Sequence, residues 1–91
     1  MTLQQLKYVI ATAECGSISS AAQKLLIAQP SLSKSISDLE KEMGIPIFYR
    51  TNRGVFLSEE GMKFLSYARQ VVEQAELLER QYKEKELKKF Q

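Results

Sequence analysis

Leu3, Leu6, Ile10 and Ala13 recur at intervals of three and four residues, with Val9 beside them. That spacing predicts the apolar stripe of an amphipathic helix, and Gly16 is placed to end it. Ser17 and Ser19 are both candidate N-caps for a second, short helix, whose apolar positions are Ala21, Ala22 and Leu25. The adjacent alanines allow another helix to approach closely. A turn around Leu26, Ile27, Ala28 and Gln29 follows. Pro30 suits the first turn of a third helix, where its missing N–H costs nothing. This helix is expected from about Pro30 to Met43, with Gly44 at its end. Leu32, Ile36, Leu39 and Met43 mark its buried face. At about 100° per residue, Lys34 lies near the centre of the opposite face, together with Pro30, Ser37 and Lys41. Ser33 flanks that face on one side, Ser31 and Asp38 on the other.

The period then changes. Ile45, Ile47, Phe48 and Tyr49 form a short β-type run, and Val55, Phe56 and Leu57 form another. Between them, residues 50–54 read as a tight turn with a basic tip, so a small hairpin is predicted. Ser58 looks like the N-cap of a final helix, with Glu59 and Glu60 favourable at its positive end. Phe64, Ala68, Val71, Ala75, Leu78 and Tyr82 follow a heptad spacing, widened by Leu65 and Val72. The seam would next reach Lys85 and Lys89, so it stops near Tyr82. From Glu59 to Tyr82 such a helix is roughly 36 Å long, too long to bury on so small a domain.

Length limits the chain to one small domain and at most one added element, since it has 91 residues. Hydrophobic residues make up 44% and charged residues 26%, an ordinary globular balance. With no His and one Cys, zinc and haem sites, Cys–His or Ser–His–Asp catalysis and an internal disulfide are excluded. Cys15 reads as a buried or half-buried structural thiol. No stretch suits a signal or a membrane span, and a cytoplasmic protein is expected. The net charge is only +2, but it is unevenly placed. Residues 1–58 carry six basic groups (Lys7, Lys24, Lys34, Lys41, Arg50, Arg53) against four acids (Glu14, Asp38, Glu40, Glu42); residues 59–91 carry seven of each sign.

Two helices joined by a tight turn, the second with a small polar face, suggest a helix-turn-helix. From Pro30 to Ser37 there is one cation and no acid; from Asp38 to Met43 there are three acids and one Lys. A polyanion would therefore meet the N-terminal half, whose free N–H groups also favour phosphate. Such a helix enters a groove N-terminus first. Ser31, Ser33 and Ser37 could approach phosphates or base edges, while Gln29 suits adenine and Lys34 guanine or phosphate. A solvated helix face is the bland alternative. Serine is a poor helix-interior residue, and three serines on or beside one face favour contact. Arg50 and Arg53 in the turn are either solubilising charge or a wing on the backbone or in the minor groove.

Taken together, Leu6-Lys7-Tyr8-Val9, Gly16-Ser17-Ile18-Ser19, Ala21-Ala22-Gln23-Lys24-Leu25, Gln29-Pro30-Ser31-Leu32-Ser33, Leu39-Glu40, Arg50-Thr51, Arg53-Gly54-Val55, Leu57-Ser58 and Gly61 resemble the N-terminal domain of LysR-type transcriptional regulators. The resemblance covers essentially residues 1–82 without a gap. It implies a winged helix-turn-helix followed by a linker helix that pairs two subunits. It places the positions of Gln29, Pro30, Ser31, Ser33, Lys34, Arg50 and Arg53 at or near DNA. It also implies a longer protein whose C-terminal part, absent here, binds a small-molecule effector. Ala28 stands where the family commonly has Ser or Thr, Ile18 where Phe is frequent and Tyr49 where Glu is frequent.

The expected fold is mainly α: three helices plus a two-stranded wing over residues 1–58, then a long dimerisation linker helix and tail over residues 59–91. The expected function is sequence-specific binding of double-stranded DNA by a transcription regulator, with no cofactor, catalysis or membrane contact. The DNA-contacting set is Gln29, Pro30, Ser31, Ser33, Lys34, Ser37, Arg50, Thr51 and Arg53. A homodimer formed through Phe64, Ala68, Val71, Val72, Ala75, Leu78 and Tyr82 would read a palindromic operator. Alternatives from other classes are a helical protein-interaction module and an enzyme built on Ser33 and Lys34, which are adjacent and point in different directions.

Overall fold

The computed structural model describes the backbone of residues 1–89 and the side chains of residues 1–83. Helix α1 spans Leu3–Cys15. Its start is fixed by a reciprocal cap: the Gln5 N–H donates to Thr2 Oγ1 at 3.1 Å and the Thr2 N–H to Gln5 Oε1 at 2.9 Å. Helix α2 spans Ile18–Leu25, capped by Ser17, whose hydroxyl accepts from the Ser20 N–H at 3.0 Å. Helix α3 spans Gln29–Met43, one residue earlier than its proline suggests. Gly16 and Gly44 end α1 and α3 in the left-handed conformation, as their positions predict.

Strands β1 (Phe48–Thr51) and β2 (Gly54–Leu57) pair antiparallel, with Phe48 opposite Leu57 and Thr51 opposite Gly54. The ladder runs further toward the tip than the apolar runs indicate. Arg50 and Thr51 are strand residues, the turn is only Asn52-Arg53, and Ile45 and Ile47 lie outside the ladder. Alternation turns Phe48 and Val55 inward and leaves Tyr49 opposite Phe56 on the solvent face.

The main core joins Val9, Ala21, Ala22, Leu32, Ile36, Leu39, Ile47, Phe48 and Val55. The two alanines are fully buried or nearly so, consistent with close helix packing. Cys15 is half-buried and unbonded. Met43, expected on the buried face of α3, is 37% exposed, because the helix end overhangs the core.

Helix α4 spans Glu59–Lys89. Ser58 caps it from a buried position: its Oγ accepts from the Gly61 N–H at 2.8 Å and its hydroxyl donates to the Pro46 carbonyl. A Cβ on Gly61 would fall 2.0 Å from the Ile47 carbonyl oxygen, so only glycine lets the helix seat this closely on the preceding loop. Past Tyr82, where the apolar seam was expected to stop, α4 continues in Lys- and Glu-rich sequence that favours helix on propensity alone. The tail of the expected second domain, residues 90–91, lies outside the described residues. A second core packs Leu6 of α1 on Ala68 and Val72 of α4. Although the helix is too long to bury on so small a domain, it finds an internal partner as far as Val72, which is 8% exposed, with Ala68 buried beside it. Both side chains are occupied within their own chain, one face of α4 lying on α1.

Candidate nucleic-acid interface

The candidate interface comprises the first two turns of α3 and the wing. Ala28, the N-cap of α3, has no side chain able to cap, and Pro30 follows within the first turn. The Gln29 and Ser31 N–H groups therefore meet no acceptor among the described residues. Gln29, Pro30, Ser31 and Lys34 are exposed, while Ser33 and Ser37 are half-buried.

Arg50 projects from β1 to α3, where its Nη1–H donates to Ser33 Oγ at 2.5 Å. That bond joins wing and helix into one surface. Thr51 has a different environment: its hydroxyl donates to the Gly54 carbonyl at 3.2 Å and accepts from the Arg53 N–H at 3.1 Å, so it fastens the wing's turn. Arg53 stands at the tip, exposed, with no side-chain partner among the described residues. The wing is anchored below by the Val55 N–H, which donates to the Gly16 carbonyl at 3.0 Å. A Cβ on Gly54 would sit 2.4 Å from that same oxygen. A shallow groove between the wing and the start of α2 is lined by Ser17, Ser19, Arg50 and Arg53.

Lys34 forms an i,i+4 ion pair with Asp38, Nζ to Oδ2 at 2.9 Å. The hydrogen bond to Asp38, and then the carboxylate's charge, raise the Lys34 pKa. The same bond lowers that of Asp38; desolvation opposes the shift and the charges of Lys34 and Lys41 add to it. The acids in the second half of α3 are not simply a solvated, DNA-repelling face. Glu40 turns inward, and its Oε2 accepts from the Ile47 N–H at 2.7 Å and the Phe48 N–H at 3.1 Å. Glu42 pairs with the amino group of Met1. Lys24 is drawn to Glu14 at 3.4 Å, as is Arg69 of α4.

Reasoning on the sequence missed two polar connections here, Glu40 to the loop and Ser33 to Arg50. The three-acid cluster was its only signal for the first, and nothing local signals the second. Of the residues expected to pair two copies, Val71, Leu78 and Tyr82 are exposed, Phe64 and Ala75 are half-buried, and Ala68 and Val72 are buried.

The family description "Bacterial regulatory helix-turn-helix protein, lysR family" matches residues 3–62, which takes in every element from α1 to the first turn of α4. The chain belongs to the LysR family. Among its relatives are the HTH-type transcriptional regulator TfdT of Cupriavidus pinatubonensis, 46% identical over 79% of this chain, and ClcR of Pseudomonas putida, 43% identical over 85%. The aligned region spans 32% and 26% of the length of those two proteins. The crystal structure of the CbnR DBD–DNA complex is similar at a TM-score of 0.87, with 35% identity over 91% of this chain and 95% of that one. The BenM DBD complex with benA site 1 DNA gives 0.87, with 38% identity over 92% and 94%. This LysR chain therefore has the winged helix-turn-helix fold of those domains, mostly helical with a two-stranded wing.

Proposed function

We propose that the chain is the DNA-binding part of a transcription regulator, docking the N-terminal half of α3 in the major groove. Residues 1–58 form the reading head, and the helix beginning at Glu59 links and pairs two copies. The observation that carries this reading is the likeness, over nine-tenths of the chain, to domains solved in complex with DNA. The exposed, uncapped start of α3 supports it. Its free N–H groups and Ser31 suit phosphate, while Gln29, Pro30, Ser33, Lys34 and Ser37 face base edges. Arg50 sets the backbone register, Thr51 holds the wing in shape, and Arg53 reaches phosphate or the minor groove. Val71, Ala75, Leu78 and Tyr82 form the seam between copies, with Phe64, Ala68 and Val72 backing it from the α1 side. Paired heads read a palindromic site. The work is binding rather than chemistry, and the compartment is the cytoplasm.

Selection from a random duplex pool at two salt concentrations tests the reading. An inverted repeat is expected to emerge. Arg53→Ala is expected to weaken binding to all sequences and to reduce the slope of log affinity on log salt by about 0.9. Recovery of no sequence in preference to heparin competitor would defeat the proposal.

A further inference from the structure

Lys34 is the one cation in the first half of α3, yet it does not stand free. Its ammonium is held by Asp38 at 2.9 Å, with the two side chains 77% and 50% exposed. Four residues along a helix place both on one face, about 6 Å apart along the axis, less than two base-pair steps. The bond uses Asp38 Oδ2, and Oδ1 has no partner among the described residues. The other acids of the helix are committed elsewhere, Glu40 to the backbone of residues 47 and 48 and Glu42 to the Met1 amine. Asp38 is thus the carboxylate that α3 presents beside its DNA-facing cation.

We propose that Asp38 is a specificity-determining residue of the DNA-reading face, engaging Lys34 so that this cation adds no net pull on phosphate and offering its second oxygen to the exocyclic amine of a cytosine. The inference rests on the DNA-binding reading above. A carboxylate is acceptor-only. In the major groove it accepts from cytosine N4 and is repelled by guanine O6 and N7 and by thymine O4. The neighbouring ammonium donates to guanine O6 or N7. The pair together favours adjacent G·C pairs of defined strand order and penalises other sequences, which is discrimination by repulsion as well as attraction.

Asp38→Asn, Asp38→Ala, Lys34→Met and the double variant Lys34→Met/Asp38→Asn test this, using a labelled duplex pool of randomised sequence. Circular dichroism checks that each remains helical. Both Asp38 variants are expected to bind the unselected pool several-fold more tightly and to steepen the salt slope by about 0.9. Sites selected by either should lose base preference at one position. In the double variant the slope should return to that of the unmodified chain. If the unmodified chain selects a site while both Asp38 variants keep its slope and its base preferences, the inference is overturned and the DNA-binding reading stands. If the unmodified chain selects nothing, both fall.

Discussion

Leu26 holds a backbone conformation that leucine disfavours. It closes α2 with φ 59° and ψ 43°, the only non-glycine at positive φ among the described residues. It is also 90% exposed, so its side chain returns no burial for the strain. The conformation persists because the cap around it is well bonded. Its N–H reaches the Ala22 and Gln23 carbonyls, and the Ile27 N–H donates to the Ala22 carbonyl at 3.0 Å. Asparagine tolerates this region far better than leucine. Leu26→Asn should raise the unfolding free energy by about 0.5–1 kcal/mol, measurable as a higher urea midpoint at unchanged slope. The sequence places Leu26 in a turn, but nothing in it marks the left-handed backbone. Gly16 and Gly44 announce their helix ends by residue type; a leucine does not.

At the scale of elements, local chemistry explains most of what the sequence makes legible. Ser17 and Ser58 cap the helices they precede, Gly16 and Gly44 follow the helices they end, and the apolar spacings of α1, α2 and α3 fall on buried or half-buried faces, Met43 excepted. Strand limits are less legible because pairing depends on the partner strand. Arg50 and Thr51 are polar, yet register with Val55 and Gly54 draws them into the ladder. Least legible is the connection from α3 into the wing, where Glu40 accepts two backbone N–H groups seven and eight residues ahead. Charge-assisted bonds of this kind are stronger than neutral ones. Glu40→Gln should lower stability by about 1–2 kcal/mol, seen in chemical denaturation. It should also speed hydrogen exchange at the Ile47 and Phe48 amides more than in α1. Equal protection at those amides in both proteins would show that the carboxylate does not hold the loop.

At the scale of the whole molecule, the chain is a head on a shaft. It measures 53 × 25 × 19 Å, and the long dimension reflects α4, about 46 Å of helix by its residue count. The heptad spacing reveals the shaft but not the division of its apolar residues. Ala68 and Val72 pack on α1, while Val71 and Leu78 are 46% and 60% exposed. The distinction depends on how α1 crosses α4, a tertiary fact that one helix's periodicity does not contain. Leu78→Asp should leave the head folded and convert paired chains to monomers in sedimentation, with weaker binding to an inverted repeat. An unaltered sedimentation coefficient would place the pairing contact elsewhere. The anchoring of α4 at Ala68 and Val72 has a further consequence. Downstream of that clasp the backbone acts as an angular ruler: each inserted residue turns everything beyond it by about 100° and advances it by about 1.5 Å, whereas seven leave its bearing almost unchanged. The bearing of any downstream face relative to the wing is therefore set by the number of residues between them, and it nearly repeats every seven.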